Sequence, residues 1–365
     1  MKTVSPVSIV RPEIAELQAY QVPASQGLIK LDAMENPFEW PDDMQQAWLE
    51  ELSSQSLNRY PDPQGQAVVA ALREAFGIPK ETSILLGNGS DEIIQIIAMT
   101  LARPGAALMA PEPGFSMYAM IARFTGMRYV GVPLNADFSL DCDAMLEAIE
   151  RETPELIFLA YPNNPTGNLF DDEDIEAILR TSTGLVVIDE AYFPFADASW
   201  SDRIANWSNL VVLRTVSKMG LAGLRLGYLL GSDAWIEQFD KVRLPYNINV
   251  LTQQATEFAL RHKAVFDRQA QEICRERARL LSALQAFDCL ECWPSATNFL
   301  LARVNGSAGE LHQHLLGEGI LVKNLHGSSD ALAGCLRFTV GSESENSALL
   351  AAISSWSPCN AASQT

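Results

Sequence analysis

Positive charge, histidine and cysteine are all scarce in this chain of 365 residues, and each scarcity removes a class of function. Its 26 lysines and arginines are outnumbered by 45 aspartates and glutamates, giving a formal net charge of -19. Nucleic acid and anionic membranes reward clustered cations, so neither is expected as a partner, and an anionic substrate would have to be met by local arginines. The 4 histidines suggest no metal site. His312 and His314 lie two apart on a predicted helix and so on different faces, while His262 and His326 have no ligand-type neighbours. No Ser-His-Asp or Cys-His arrangement has local support either. The 6 cysteines (Cys142, Cys274, Cys289, Cys292, Cys335 and Cys359) are scattered, which favours reduced thiols over a disulfide framework. Cys289 and Cys292 have C-x-x-C spacing, but no second pair lies nearby to complete a metal site. No run approaches the roughly 18 apolar residues of a membrane span. The start Met1-Lys-Thr-Val-Ser-Pro6 lacks the apolar core of a signal peptide, so a cytoplasmic location is expected. Internal repeats and low-complexity segments are absent.

What is present is apolar content of 48%, enough for a large core and, at this length, for one big domain plus a smaller one. An arm over 1–30 includes a short amphipathic helix from Arg11 to Tyr20, with Pro12 suited to its first turn. A strand from Ile29 leads to the turn Asn36-Pro37, a helix spans Asp42 to Ser53, and the prolines of Asn58-Arg-Tyr-Pro-Asp-Pro63 put Tyr60 on a stiff extended loop. From Ile84 to Gly231, short apolar runs alternate with helical stretches, the pattern of a parallel sheet covered on both faces. Helices then dominate to about Phe287. Two later strands, Ala296 to Arg303 and Leu332 to Gly341, flank the helix Gly309 to Gly317. The expected division is an arm (1–30), a large α/β domain (31–255) and a smaller α+β C-terminal domain (256–365), with the tail from Cys359 frayed.

In such sheets ligands bind beyond the carboxyl ends of the strands, and the chemistry-bearing residues fall at those ends. Lys218 follows the run Leu210 to Leu213 and is flanked by Val216, Met219 and Leu221. Partial desolvation there lowers an ammonium's pKa and frees an amine able to condense with an aldehyde. Thr215, Ser217 and Arg225 offer hydroxyls and a cation for a phosphate close by. Gly87-Asn-Gly-Ser-Asp-Glu92 leads into a helix whose free amides near Ser90 and Asp91 suit an anion. The same stretch also reads as an ordinary helix capped by Ser90 or Asp91. Phe115 lies after a proline turn, where an aromatic can stack on a flat ring or simply fill core. Asn164 lies in the stiff loop Tyr161-Pro-Asn-Asn-Pro-Thr-Gly167. Asp189 ends the strand beginning at Leu185, placed to keep a pyridine nitrogen protonated or to cap a turn, and Tyr192 is three residues on. Arg337, among apolar neighbours on a late strand, needs an anionic partner, either a structural carboxylate or a substrate.

The motifs Asn163-Asn-Pro-Thr-Gly167, Asp189-Glu-Ala-Tyr192 and Ser217-Lys-Met-Gly-Leu-Ala-Gly-Leu-Arg-Leu-Gly-Tyr228 resemble those of the class I/II aminotransferases of fold type I, over nearly the whole chain. Leu31-Asp-Ala-Met-Glu-Asn-Pro37, Asn58-Arg-Tyr-Pro-Asp62 and Cys335-Leu-Arg-Phe-Thr-Val-Gly341 are similar to the branch acting on histidinol phosphate. The resemblance implies a mostly parallel α/β sheet binding pyridoxal 5'-phosphate, with Lys218 bonded to it, Asp189 on its ring nitrogen, and Asn164 and Tyr192 on its ring hydroxyl. Phe115 would stack on the ring, and Ser90, Asp91, Thr215, Ser217 and Arg225 would hold its phosphate. Tyr60 would reach the phosphate bound by a partner subunit, which implies a homodimer. Arg337 would bind the carboxylate of glutamate or the phosphate of histidinol phosphate, with Tyr20 and Asn298 near the substrate. Lys323 stands where many members carry arginine, Phe115 where many carry tyrosine, and Asp32 where asparagine is commoner. Aromatic amino-acid transamination and threonine-phosphate decarboxylation share the scaffold. A binding protein that has lost catalysis is disfavoured by the joint presence of Lys218, Asp189 and Arg225.

Overall fold

The computed structural model describes residues 5, 8–19 and 23–356. Two sheets organise them. The larger has seven strands in the order β2-β8-β7-β6-β5-β3-β4: β2 Ser83–Gly87, β3 Ala107–Glu112, β4 Arg128–Pro133, β5 Leu156–Ala160, β6 Leu185–Asp189, β7 Leu210–Thr215 and β8 Gly227–Gly231. The smaller has β1 Ile29–Leu31, β9 Leu290–Cys292, β10 Phe299–Val304, β11 Ile320–Asn324 and β12 Cys335–Thr339, in the order β1-β11-β12-β10-β9.

The apolar runs of the large sheet are buried on both faces, and the two-residue period sorts them into two cores. Along β6, Val186 and Ile188 enter one core while Leu185 and Val187 enter the other; along β7, Leu210 and Val212 oppose Val211 and Leu213. Neighbours β4, β3, β5, β6 and β7 run parallel, which brings the carboxyl ends of β5, β6 and β7 to one edge. β8 departs from the expected parallel pattern, running antiparallel to both β7 and β2. The connection 216–226 is too short to carry a crossover helix, so the chain turns back beside β7 instead. A strand buried on both faces reads the same in either direction, which is why composition did not reveal this. That short connection carries both Lys218 and Arg225.

The smaller sheet is antiparallel except where β1 joins β11, so the strand directly after the arm belongs to this sheet. It is covered by the helices Lys263–Leu284, Ala308–Gly317 and Glu343–Ser355, whose apolar faces share its core. The arm's helix is shorter than expected, Pro12–Ala15. It is tied down by Arg11, which donates to the Phe124 carbonyl at 2.6 Å. Cys289 is disulfide-bonded, whereas Cys142, Cys274, Cys292 and Cys335 are free. The expectation of reduced thiols therefore fails at Cys289, and its C-x-x-C neighbour Cys292 is not its redox partner. Sequence spacing carries no information about contacts between distant segments. No described helix is long and apolar enough to cross a membrane. Tyr20 and the tail from Cys359 lie outside the described residues.

Candidate active site

Where β5, β6 and β7 end, they meet the start of the helix Ser90–Leu101 around a cavity. Its walls include ten of the residues expected from the sequence: Ser90, Asp91, Phe115, Asn164, Asp189, Tyr192, Thr215, Ser217, Lys218 and Arg225.

Lys218 sits in a single helical turn, Ser217–Met219, directly after β7. Val216 and Met219 on either side are buried in the core and fix the turn. The Lys218 amine donates to the Ala33 carbonyl at 3.2 Å. Burial, with the Arg337 charge adding to it, pushes its pKa down to about 8.

Asp189 closes β6, paired with Ala160 on β5 and Leu213 on β7. Tyr118 Oη donates to its Oδ2 at 2.7 Å, and the Ala191 N–H donates to its Oδ1 at 3.1 Å. Burial pushes this carboxyl up to about 6, while the two donors favour the ionised form.

The third feature is an anion cradle. The helix Ser90–Leu101 starts at Gly89, and no side chain caps it. The reading of Ser90 or Asp91 as a cap therefore falls, and the first amides of the helix are left to an anion. Arg225, itself at a positive φ of 49°, donates to Ser217 Oγ at 3.3 Å and lies 3.6 Å from the Asp91 carboxylate. Thr215 Oγ1 donates to Ser217 Oγ at 2.9 Å. Gly89 is required here: a Cβ on it would stand 2.6 Å from Arg225 Nη2, at a φ of +83°.

The two asparagines of the Asn-Asn-Pro loop divide the work. Asn163 donates to the Pro113 carbonyl and Thr166 Oγ1, holding the loop. Asn164 Nδ2 donates to Tyr192 Oη at 3.0 Å, and its Oδ1 accepts from Arg337 Nη1 at 2.6 Å. The arginine thereby fixes which way the amide points, and Tyr192 keeps its own hydrogen to donate. Burial pushes the Tyr192 phenol well above its ordinary pKa, so that hydrogen stays on.

Arg337 also donates to the Asp32 carbonyl at 3.0 Å, and Lys323 lies opposite it in register on β11. Asn298 donates to the Met34 carbonyl at 2.9 Å, and its buried Oδ1 has no partner among the described residues. These three residues do not line the cavity; Arg337 reaches its wall through Asn164. Tyr60 lies away from it, 81% exposed and stacked on Tyr246 at 4.5 Å between centroids. The sequence reading missed Tyr118, Met34, Ala160, Pro162 and Ala191, which also line the cavity. Tyr118 had a signal, its position at a helix start beside Phe115, but an aromatic there reads equally well as core.

Pyridoxal phosphate fits this donor set: a desolvated amine for its aldehyde, a buried carboxylate for its ring nitrogen, and an uncapped helix start with an arginine for its phosphate. An enzyme of amine chemistry is the class that such an arrangement defines. The family model described as aminotransferase class I and II matches residues 26–353, and the chain belongs to that family. Among the relatives, histidinol-phosphate aminotransferase of Chromobacterium violaceum is 54% identical over 94% of this chain and 97% of its own length. Histidinol-phosphate aminotransferase 2 of Cupriavidus pinatubonensis is 51% identical over 94% and 95%. Of solved structures, histidinol-phosphate aminotransferase from Sinorhizobium meliloti in complex with pyridoxal-5'-phosphate superposes with a TM-score of 0.84. It covers 96% of this chain and 97% of that one at 24% identity, a likeness that speaks for the fold.

Proposed function

We propose that this chain is a pyridoxal-phosphate-dependent histidinol-phosphate aminotransferase. It moves an amino group between L-histidinol phosphate and 2-oxoglutarate, yielding imidazole acetol phosphate and glutamate, a step of L-histidine biosynthesis. The observation that carries the substrate assignment is identity near one half, over almost the full length, to relatives bearing that name.

When bound, pyridoxal phosphate supplies an aldehyde for the amine and an electron-poor ring that accommodates the electron pair left when the substrate carbon loses its proton. The chain's residues do the rest. With burial lowering its pKa to about 8, Lys218 is a free amine far more often near neutral pH than an ordinary lysine. Lys218 would serve first as the nucleophile toward that aldehyde and then, as a free amine, as the base that carries the proton from the substrate carbon to the carbon that bore the aldehyde. Asp189, pushed up by burial and held toward its ionised form by the Tyr118 hydroxyl and the Ala191 N–H, would keep a proton on the ring nitrogen. Tyr192 and Asn164 fix the ring hydroxyl and Phe115 the ring face. The amides of Ser90 and Asp91, with Thr215, Ser217 and Arg225, hold the phosphate. Arg337 orients the substrate's anionic group, with Lys323 and Asn298 beside it.

The same reading divides the chain into an arm (1–30), a large cofactor-binding unit (31–255) and a small unit (256–365), with β1 lending a strand to the latter's sheet. The enzyme acts as a cytoplasmic homodimer in which Tyr60 serves the other copy's cofactor, a role its exposure supports. Incubation with histidinol phosphate and 2-oxoglutarate tests the assignment: imidazole acetol phosphate and glutamate should form in equal amounts. Activity confined to phenylalanine or tyrosine would move the enzyme to the aromatic aminotransferases. Carbon dioxide released from threonine phosphate would move it to the decarboxylases.

A further inference from the structure

One of the two donors that hold Asp189 belongs to no motif assigned above. Tyr118 is 1% exposed, and its ring is stacked on Phe158 of β5 at 4.5 Å with planes 10° apart. Phe115 meets it edge-on at 5.4 Å. The ring is thus clamped between the helix Met117–Thr125 and the sheet, with its oxygen 2.7 Å from Asp189 Oδ2. We propose that Tyr118 is a positioning residue for the reaction: its hydroxyl holds the Asp189 carboxylate in the orientation and ionised form that keep a proton on the cofactor's ring nitrogen. The inference rests on the pyridoxal-phosphate reading.

The surroundings of Asp189 otherwise work against ionisation. Burial is the largest influence, and Asp91 from the start of the helix Ser90–Leu101 and Glu190 next along the chain add like charge. Glu190 is paired with Arg214 at 2.8 Å. Tyr192, from the turn after β6, is another neutral phenol near the Tyr118–Asp189 pair. Against these stand the Ala191 N–H and the Tyr118 hydroxyl, one on each carboxylate oxygen. Burial and the Asp189 charge hold the Tyr118 proton on far above the ordinary phenol range, so Tyr118 acts as an obligate donor. A donor that cannot be lost, held by stacking, discriminates between the two protonation states of the carboxyl.

Tyr118→Phe keeps the ring and its stack and deletes the hydroxyl. Equilibrium binding of pyridoxal phosphate to the purified cofactor-free variant is compared with binding of the analogue whose ring nitrogen is replaced by CH. Loss of a hydrogen bond to a charged group should weaken pyridoxal phosphate binding roughly tenfold or more and leave binding of the carbocyclic analogue unchanged. Equal weakening of both ligands, which a purely structural role would produce, or weakening of neither, overturns the proposal. Incorporating 3,5-difluorotyrosine at position 118 gives a second variant of the same shape and stronger donor power, independent of whether the phenylalanine variant folds. It should tighten pyridoxal phosphate selectively, and absence of that selectivity also refutes the role. Failure of the unaltered protein to bind pyridoxal phosphate at all would overturn the cofactor reading and this inference with it.

Discussion

Behind the strand end that carries Asp189, a buried ion pair anchors the turn on which Tyr192 rides, and Arg214→Met is the perturbation that tests it. Glu190 is fully buried and Arg214 is 6% exposed. Arg214 Nε donates to Glu190 Oε2 at 2.8 Å, and the Trp200 N–H donates to Glu190 Oε1 at 2.5 Å. Arg214 Nη2 reaches Ser199 and Ser201 Oγ at 2.8 and 3.0 Å, and its guanidinium lies 4.5 Å from the Phe193 ring centroid. Removing the cation leaves a fully buried carboxylate without its partner, which costs about 3–5 kcal/mol. Glu190→Gln in its turn strands the guanidinium, 6% exposed, and should cost a similar amount, about 3–5 kcal/mol. Arg214→Met combined with Glu190→Gln has no orphan charge and should be more stable than Arg214→Met alone. Urea unfolding of the cofactor-free proteins at pH 7, followed by circular dichroism, measures all three. A cost for Arg214→Met below about 1 kcal/mol, or a double variant whose cost equals the sum of the singles, would refute the reasoning.

Lys218→Met should abolish transamination yet stabilise the cofactor-free protein. At pH 7 the folded and unfolded forms both carry the lysine proton, and the drop from 10.5 to about 8 represents on the order of 3 kcal/mol of burial penalty. Between about 8 and 10.5 only the unfolded form keeps the proton, so unaltered protein gains stability with pH and the variant's lead fades; melting curves at pH 7 and pH 10 check this. Gly89→Ala forces a Cβ to within 2.6 Å of Arg225 Nη2 at a positive φ. It should weaken pyridoxal phosphate binding by roughly tenfold or more, read by cofactor titration, while an Ala substitution at Gly223, where a Cβ meets nothing within 4 Å, should not. Arg337→Lys keeps the charge but cannot reach Asn164 and the Asp32 carbonyl with one fork, so KM for histidinol phosphate should rise about tenfold in steady-state assays.

Much of the site was legible because its residues are tied to strand ends. Asp189, Thr215 and Lys218 follow apolar runs that could only be buried strands, and a sheet of that kind gathers such ends on one edge. The helix Asp42–Ser53 was readable from its own period, since its apolar stripe faces the core. Direction was not legible, because β8 is buried on both faces and gives no polar side to mark it. Nor was the membership of Ile29–Leu31 in the smaller sheet: three residues pairing with a strand almost three hundred positions away leave no local trace. Tyr118 stayed hidden for a related reason. Its value lies in one atom, the hydroxyl on Asp189, while its ring does what any core aromatic does. Asn163 and Asn164 look alike in sequence, and only the partners of their amides separate the loop's brace from the side chain that meets Tyr192 in the cavity wall.

The most direct test of the central claim is a half-reaction. The purified yellow protein is mixed with histidinol phosphate alone and its visible absorbance is followed, after which 2-oxoglutarate is added. The account predicts that the colour bleaches as imidazole acetol phosphate appears, that 2-oxoglutarate restores it with formation of glutamate, and that Lys218→Ala does neither. A protein that keeps its colour with histidinol phosphate and bleaches only with phenylalanine or tyrosine would contradict the substrate assignment. Equal turnover by Lys218→Ala would contradict the catalytic one.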